Sequence, residues 1–336
     1  WPKNREFEPL LSASSGIGTR CRIQMLHYHT PIMLEEIIGF LNPLPGKIYL
    51  DGTLGTGGHA EALLEESAPT GRVVGIDADA ESLEIARERL APYGDRILLV
   101  HGRYEQAQEI LTRHGLSRVH GVLLDLGISR VQMETPERGF SFSRQGPLDM
   151  RMDRGCGTPA SRLLQDLPED QMELLFRTCG EERWARKIAR SIVRSRKEEG
   201  DLSTTRDLVD AVARTLPRQA RRARIHPATR VFMALRIAVN RELESLEEFL
   251  SDLPDLLHQG GRCCILSFHS LEDRIVKQRF RSLEKGPSSS DTPEDESSKA
   301  VPLFRQVRKK VLRPQREEIL RNPLARSAKL RVAERL

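Results

Sequence analysis

Between residues 47 and 125 the chain alternates short apolar runs with stretches of helical periodicity. Ile48-Tyr49-Leu50-Asp51, Val73-Val74-Gly75-Ile76-Asp77, Ile97 to Val100 and Val122-Leu123-Leu124-Asp125 read as strands. Ala60 to Glu66 reads as a helix, and so does Glu105 to Thr112. Between them, Asp79 caps a helix through Leu90 that places Leu83, Ala86 and Leu90 on one face. Strands that are apolar throughout and separated by helices predict a parallel sheet covered on both faces.

Beyond Asp125 the pattern changes. Gly127 to Gly157 has little periodicity, and long irregular segments in compact domains tend to be functional or disordered. Helices are predicted after Thr158-Pro159, from Pro168 to near Gly180, and over Glu181 to Lys197, Thr205 to Leu216 and Pro227 to Leu250. Cys263 to Phe268 restores a buried strand, and Lys329 to Val332 reads as the last one. The division predicted is a sheet domain over 25–132 and 227–336, with a helical substrate-recognition domain, 133–226, inserted in it. Residues 286–299, rich in Ser, Pro and acids, form a predicted flexible loop within the sheet domain. Residues 1–24 read as a poorly ordered extension, with Met25 as the working initiator.

Composition narrows the class. The 336 residues suggest about two domains. No run of about 18 apolar residues occurs, which argues against a membrane-crossing helix and a membrane partner. The five cysteines are scattered and form no CxxC, so neither a disulfide framework nor a metal site is expected, and a reducing, cytoplasmic setting fits. The net charge is only +5, but the basic residues cluster. Arg186, Arg190, Arg194 and Lys197 share one helical face; Arg218, Arg221, Arg222 and Arg224 form a second group; Arg305, Arg308, Lys309, Lys310, Arg313 and Arg316 form a third. Any one cluster reads as a solvated face. Three together read as a footprint for nucleic-acid phosphates.

The strongest local signal is Asp51-Gly52-Thr53-Leu54-Gly55-Thr56-Gly57-Gly58-His59, between the first strand and the first helix. Such glycines let a ligand approach the backbone, at the strand ends where ligands of open α/β sheets bind. Asp51 ends the strand and is expected to point into the same crevice, where its carboxylate opposes a pyrophosphate but suits a cation such as S-adenosylmethionine, with its ammonium and sulfonium. Asp77 ends the second strand, where an acid binds ribose hydroxyls. Tyr104 reads either as a stacking surface for adenine or as a packing residue. Asp125 overlooks the junction of cofactor and acceptor.

These residues carry a family resemblance. The chain resembles the bacterial small-subunit rRNA cytosine-N4 methyltransferases, the MraW or RsmH family, from Tyr28 to the C-terminus. Supporting strings are His29-Thr30-Pro31, the glycine segment above, Leu123-Leu124-Asp125-Leu126-Gly127, Glu137-Arg138-Gly139-Phe140-Ser141-Phe142, and Gly146 to Asp153. Gly180-Glu181-Glu182-Arg183, His226-Pro227-Ala228-Thr229-Arg230 and Ser267 to Arg274 complete the set. The resemblance implies a class I (Rossmann-like) α/β methyltransferase sheet with a helical insertion, and S-adenosylmethionine as donor. It implies a cytidine in the decoding region of 16S rRNA, on the small ribosomal subunit, as acceptor. It also implies that Gly57, Gly58, His59, Asp77, Tyr104, Asp125 and Gln132 hold the cofactor; Asp51 and Gly55 join them on the residue argument. Tyr104 stands where the family often has Phe. Arg130-Val131 stands where it commonly has Ser-Pro before the Gln.

The acceptor side leaves alternatives open. Asp125 is the candidate catalytic residue. Amino-methyltransferases acting on DNA place a Pro-Pro-aromatic clamp after the fourth strand; Asp125-Leu126-Gly127-Ile128-Ser129 lacks it, and no DNA partner is expected. Phe140 and Phe142 read as stacking surfaces for an extruded base or as loop anchors. Asp149, Arg151 and Asp153, with Arg230, His269 and Ser270, read as an acceptor pocket or as an internal ion-pair network. Two other functions compete: a non-catalytic RNA-binding or ribosome-assembly factor that keeps the fold, and a nicotinamide-dependent oxidoreductase, which Asp51 and the arginine clusters oppose.

Overall fold

The computed structural model describes residues 31–198, 200–216, 226–286 and 301–336. The expectations for the N-terminal extension, for 287–299 of the loop, and for Arg218, Arg221, Arg222 and Arg224 lie outside the described residues.

In chain order the strands are β1 (Ile48–Asp51), β2 (Arg72–Asp77), β3 (Ile97–His101), β4 (Val119–Asp125), β5 (Leu257–Ser267), β6 (Phe304–Gln306) and β7 (Lys329–Arg335). The helices are α1 (Leu34–Leu41), α2 (Gly58–Glu66), α3 (Ala80–Leu90), α4 (Ala107–Arg113), α5 (Arg130–Glu134), α6 (Ala160–Asp166), α7 (Glu169–Thr178), α8 (Ala185–Glu198) and α9 (Thr205–Thr215). After these come α10 (Pro227–Asn240), α11 (Glu242–Leu256), α12 (Ser270–Lys285) and α13 (Arg316–Arg321).

One sheet runs β3-β2-β1-β4-β5-β7-β6. The first five strands in that order pair in parallel, as the buried apolar runs predict. The last two depart from an all-parallel sheet, because β7 lies antiparallel to both β5 and β6. Side chains alternate faces along each strand, and both faces are covered. Leu50, Val74, Leu124 and Cys263 face a core with Phe249 and Phe280 from α11 and α12. Tyr49, Val73, Leu123 and Cys264 face the other core, with Leu63 from α2 and Leu83 from α3. That double burial is why the strands read as unbroken apolar runs.

A third core is mainly helical and collects Phe176, Ile188, Ile192, Leu208 and Val212 between β4 and β5 in sequence, with Phe140, Leu148 and Met150 from the irregular segment. It also takes in Ala228, Val231, Phe232 and Leu235 of α10. The seam drawn at 226/227 therefore needs correction, since α10 packs with the helical unit. The single helix predicted from Pro227 to Leu250 is likewise two. Arg241 adopts the left-handed region (φ 52°, ψ 41°), and the chain turns between α10 and α11. The apolar period runs on through the break, so pattern alone does not reveal it. The turn lets Arg236 reach Glu242 with two hydrogen bonds of 2.8 and 2.7 Å.

Two caps, one at a helix start and one at a helix end, account for local boundaries. Asp79 accepts from the Glu81 amide at the head of α3, as expected. Arg196 donates to the carbonyls of Leu164, Gln165 and Leu167, satisfying the end of α6. Leu235→Ala, inside the helical core, is expected to lower stability by about 2–5 kcal/mol, read by urea denaturation. An unmoved transition would contradict the placement of α10 in that core.

Candidate active site

The turn after β1 is stitched to both neighbouring strands. The Gly52 amide donates to Leu123 O and the Leu54 amide to Ile76 O, each at 2.9 Å. Gly55 (φ +54°) and Gly57 (φ +82°) adopt left-handed backbone, which explains the glycines there. At Gly52 a Cβ would stand 2.5 Å from Leu124 Cδ2, so the turn has no room for a side chain. The result is a cleft of about 610 Å³ at the carboxyl ends of the strands. Gly55, Gly58, His59, Asp77, Tyr104, Asp125 and Gln132 all line it. Asp51 and Gly57 lie behind that lining, so the expectation that Asp51 points into the crevice is corrected: it sits under the floor, 1% exposed.

Three carboxylates end β1, β2 and β4. Asp51 Oδ1 accepts from the Thr53 amide, while its Oδ2 has no hydrogen-bond partner. Asp125 Oδ1 is likewise buried and without a partner. Its backbone amide donates to Thr53 Oγ1 at 2.6 Å. Desolvation pushes the Asp125 carboxyl up to about 8, with Asp51 and Glu272 adding like charge. Desolvation also raises Asp51 to about 7, opposed by the Thr53 amide and helped by Asp77. Asp77 rises to about 6 for the same leading reason, although the Asp79 and Gly55 amides bind it at 2.8 and 2.6 Å. Unpaired buried carboxylate oxygens of this kind are relieved by a cation. The donor set therefore fits a cationic nucleoside and not a diphosphate, and S-adenosylmethionine meets that description. His59 sits beside the same group, with Nδ1 3.8 Å from Asp125 Oδ2 and Nε2 3.1 Å from Ile32 O.

Tyr104 and Gln132 are anchored from behind. The Tyr104 hydroxyl donates to Glu242 O at 3.3 Å, and its ring meets Phe249 edge-on at 5.7 Å. Gln132 is buried, donates to Asp79 Oδ2 at 2.7 Å and closes a reciprocal cap with Ser129. That cap makes the turn that a proline shapes in the family.

On the acceptor side, Phe140 and Phe142 line the cleft with Phe232. Phe142 lies 5.1 Å from Phe232 and 5.4 Å from His226, centroid to centroid. The other acceptor candidates are not on the lining. Asp149 and Arg151 form a two-bond ion pair at 2.8 and 2.9 Å, which holds the Asp149 carboxyl below its usual range. Asp153 accepts from the Gly155 amide and stands 3.6 Å from His101. Arg230 donates to Glu181 O, and Ser270 donates to Glu181 Oε2. His269 caps α12. For these six the ion-pair and framework alternative describes what the structure brings together.

Sequence reasoning gave no role to Arg236, Glu242, Asn240 or Glu272, which line the cleft, nor to the buried Arg138. Glu272 and Arg138 stood inside strings already singled out; nothing in the pattern marked the others. Ligand atoms of Glu242, His269 and Glu272 come within 4.8 Å of one another. Arg236 already occupies Glu242, the Phe268 and His269 amides occupy Glu272, and His269 Nε2 lies 3.1 Å from Glu272 Oε1, so the two carboxylates are met by groups of the chain itself.

Arg186, Arg190 and Arg194 are exposed on one face of α8, and Lys309 and Lys310 are exposed near β6. Arg190 and Arg194 also pair loosely with Glu169 and Glu198, at 3.4 and 3.6 Å. Arg221 and Arg222 lie outside the described residues.

A carboxyl raised by folding is favoured while protonated, so its contribution is complete below the unfolded value and fades as pH climbs through the folded one. With Asp77, Asp51 and Asp125 raised to about 6, 7 and 8, the ligand-free protein is expected to lose thermal stability from about pH 4, the unfolded carboxyl range, up to about pH 8, with Asp125 alone acting at the top of that range. Asp125→Asn is expected to flatten the upper part of the decline in melting temperature. A wild-type and Asp125→Asn pair with parallel pH profiles would contradict the assignment.

Comparison with known proteins gives the family. The family model described as MraW methylase family matches residues 26–336. A protein of Syntrophobacter fumaroxidans named ribosomal RNA small subunit methyltransferase H is 47% identical over 311 residues, 91% of this chain and 96% of its own. A protein of the same name from Magnetococcus marinus is 46% identical, covering 93% of this chain and 100% of its own. Among solved structures, a putative rRNA-methylase of Clostridium thermocellum aligns over 97% of this chain and 100% of its own at 12% identity, with a TM-score of 0.41 that carries no weight. On the family match and these identities, the chain belongs to the MraW methylase family.

Proposed function

We propose that this S-adenosylmethionine-dependent rRNA methyltransferase acts on the exocyclic N4 amine of one cytidine in the decoding region of small-subunit 16S rRNA. The observation that carries the reading is a single cleft that holds Asp125, with its unpaired Oδ1, and an aromatic wall of Phe140, Phe142 and Phe232. The relatives' name, which specifies the small subunit, supports the acceptor.

The cofactor supplies a methyl group on a sulfonium, already activated for displacement. The chain must then orient a poor nucleophile. The cytosine amine lone pair is delocalised into the ring, and an acceptor that hydrogen-bonds the N–H turns it out of conjugation. The Asp125 carboxylate, part of which faces the cleft, serves that role, and it favours positive charge on the nitrogen as the new bond forms. Asp77, the Gly55–Gly58 turn, His59, Tyr104 and Gln132 hold the cofactor; Asp51 contributes charge from beneath. Positioning of the two reactants supplies much of the rate. No cysteine lines the cleft among the described residues, and attack by nitrogen requires none.

Phe140 and Phe142 flank an extruded base, since a base within a helix cannot reach the strand ends. Arg186, Arg190, Arg194, Lys309 and Lys310 track phosphates. Asp149, Arg151, Asp153, Arg230, His269 and Ser270 brace the walls. We place the reaction in the cytoplasm; among the described residues no helix is long and apolar enough to cross a membrane.

Incubation of unmodified small subunits with methyl-labelled S-adenosylmethionine, followed by nucleoside analysis, is expected to yield N4-methylcytidine. Label in any other nucleoside would contradict the acceptor. Small-subunit RNA affinity is expected to fall steeply with salt, about 10-fold or more between 50 and 200 mM. A flat salt response in filter binding would remove the phosphate-tracking role of the arginines.

A further inference from the structure

Arg138 is among the most buried large side chains of the molecule, at 1% exposed, and its guanidinium lies behind the cleft lining, between the segment after Asp77 and the strip at Arg151 and Met152. On the cofactor side, Nη1 donates to Asp79 Oδ2 at 2.8 Å and to Glu81 Oε2 at 3.3 Å. Asp79 caps α3, and its amide binds Asp77 Oδ1. On the acceptor side, Nη2 donates to the carbonyls of Arg151 and Met152 at 3.1 and 2.8 Å. The same cation lies 5.9 Å from the centre of the Phe140 ring.

The strip that Arg138 holds is strained and held from its far side too. Met150 is fully buried with φ +63°, a left-handed conformation that a non-glycine residue keeps only when its surroundings impose it. Asn240 imposes it from α10: Nδ2 donates to Met150 O, and Oδ1 accepts from the Met152 amide, both at 2.8 Å. The Met150 amide donates to Arg138 O at 2.9 Å. The strip therefore hangs between a helix of the acceptor wall and a cation fixed to the turn that follows Asp77. A planar, forked guanidinium can serve a carboxylate and two carbonyls at once, which an ammonium cannot.

We propose that Arg138 is a positioning residue that couples the occupied cofactor turn to the acceptor wall: it carries order from Asp77 and Asp79 into residues 150–152 and, through Phe140, onto the surface where the base would lie. The inference rests on the cofactor assignment above and not on the identity of the acceptor.

Hydrogen exchange of the full chain, with and without saturating S-adenosylmethionine, tests it without any RNA. In the wild type, cofactor is expected to slow amide exchange within 148–153 by about 10-fold. In Arg138→Lys the slowing is expected to vanish, while calorimetry finds cofactor affinity within about threefold of wild type. Asp79→Asn keeps the helix cap and the side-chain volume but also touches Gln132, which donates to the same Oδ2, so it is read with calorimetry that fixes the cofactor site as saturated; at saturation it is expected to weaken the slowing in the same direction, and it decides the matter if Arg138→Lys does not fold. Undiminished slowing in a folded variant, or none in the wild type, would overturn the coupling and leave the cytidine reading untouched.

Discussion

Three neighbouring parallel strands each end on an aspartate; Asp51 stands opposite Gly75 and Leu123, so Asp77 and Asp125 reach two residues beyond it on either side. Like charges that share a desolvated site cannot all ionise without a counter-charge. Peptide amides meet part of the demand at Asp77 and Asp51, but Asp51 Oδ2 and Asp125 Oδ1 are left with nothing. The fold holds this arrangement because Thr53 and the glycine turn lock the strand ends in register. A positively charged ligand completes it. Donor choice, the place of the acceptor and the pH response all follow from that incompleteness.

Around this centre polar side chains tie the sheet to the helical unit. Arg103, after β3, reaches the carbonyl of Asn240 at the end of α10, and Arg138 grips Asp79 on the sheet side and the carbonyl of Met152 on the other. Directional bonds of this kind fix relative placement, where apolar contact alone tolerates sliding. Methyl transfer between two bound molecules needs such placement.

The strands, the Asp79 cap and the glycine turn were legible in the chain because each has a short-range cause: double burial, a side-chain oxygen at a helix head, a backbone that needs positive φ. The break at Arg241 was not, since the apolar period passes through it. The depth of Asp51 was not, since a strand-end acid reads the same whether it faces the cleft or lies under it. Asp149, Arg151 and Asp153 alternate in an irregular segment, and alternation there does not reveal that the first two satisfy each other. Arg236 and Glu242 sit six positions apart and meet only because the helix breaks between them.

The central claim is that buried, partly protonated carboxylates receive a cation. Calorimetry of S-adenosylmethionine binding near neutral pH, in buffers of different ionisation enthalpy, tests it most directly. The account requires protons to leave the protein on binding, and fewer to leave in Asp125→Asn. Binding with no proton exchange in the wild type would contradict it.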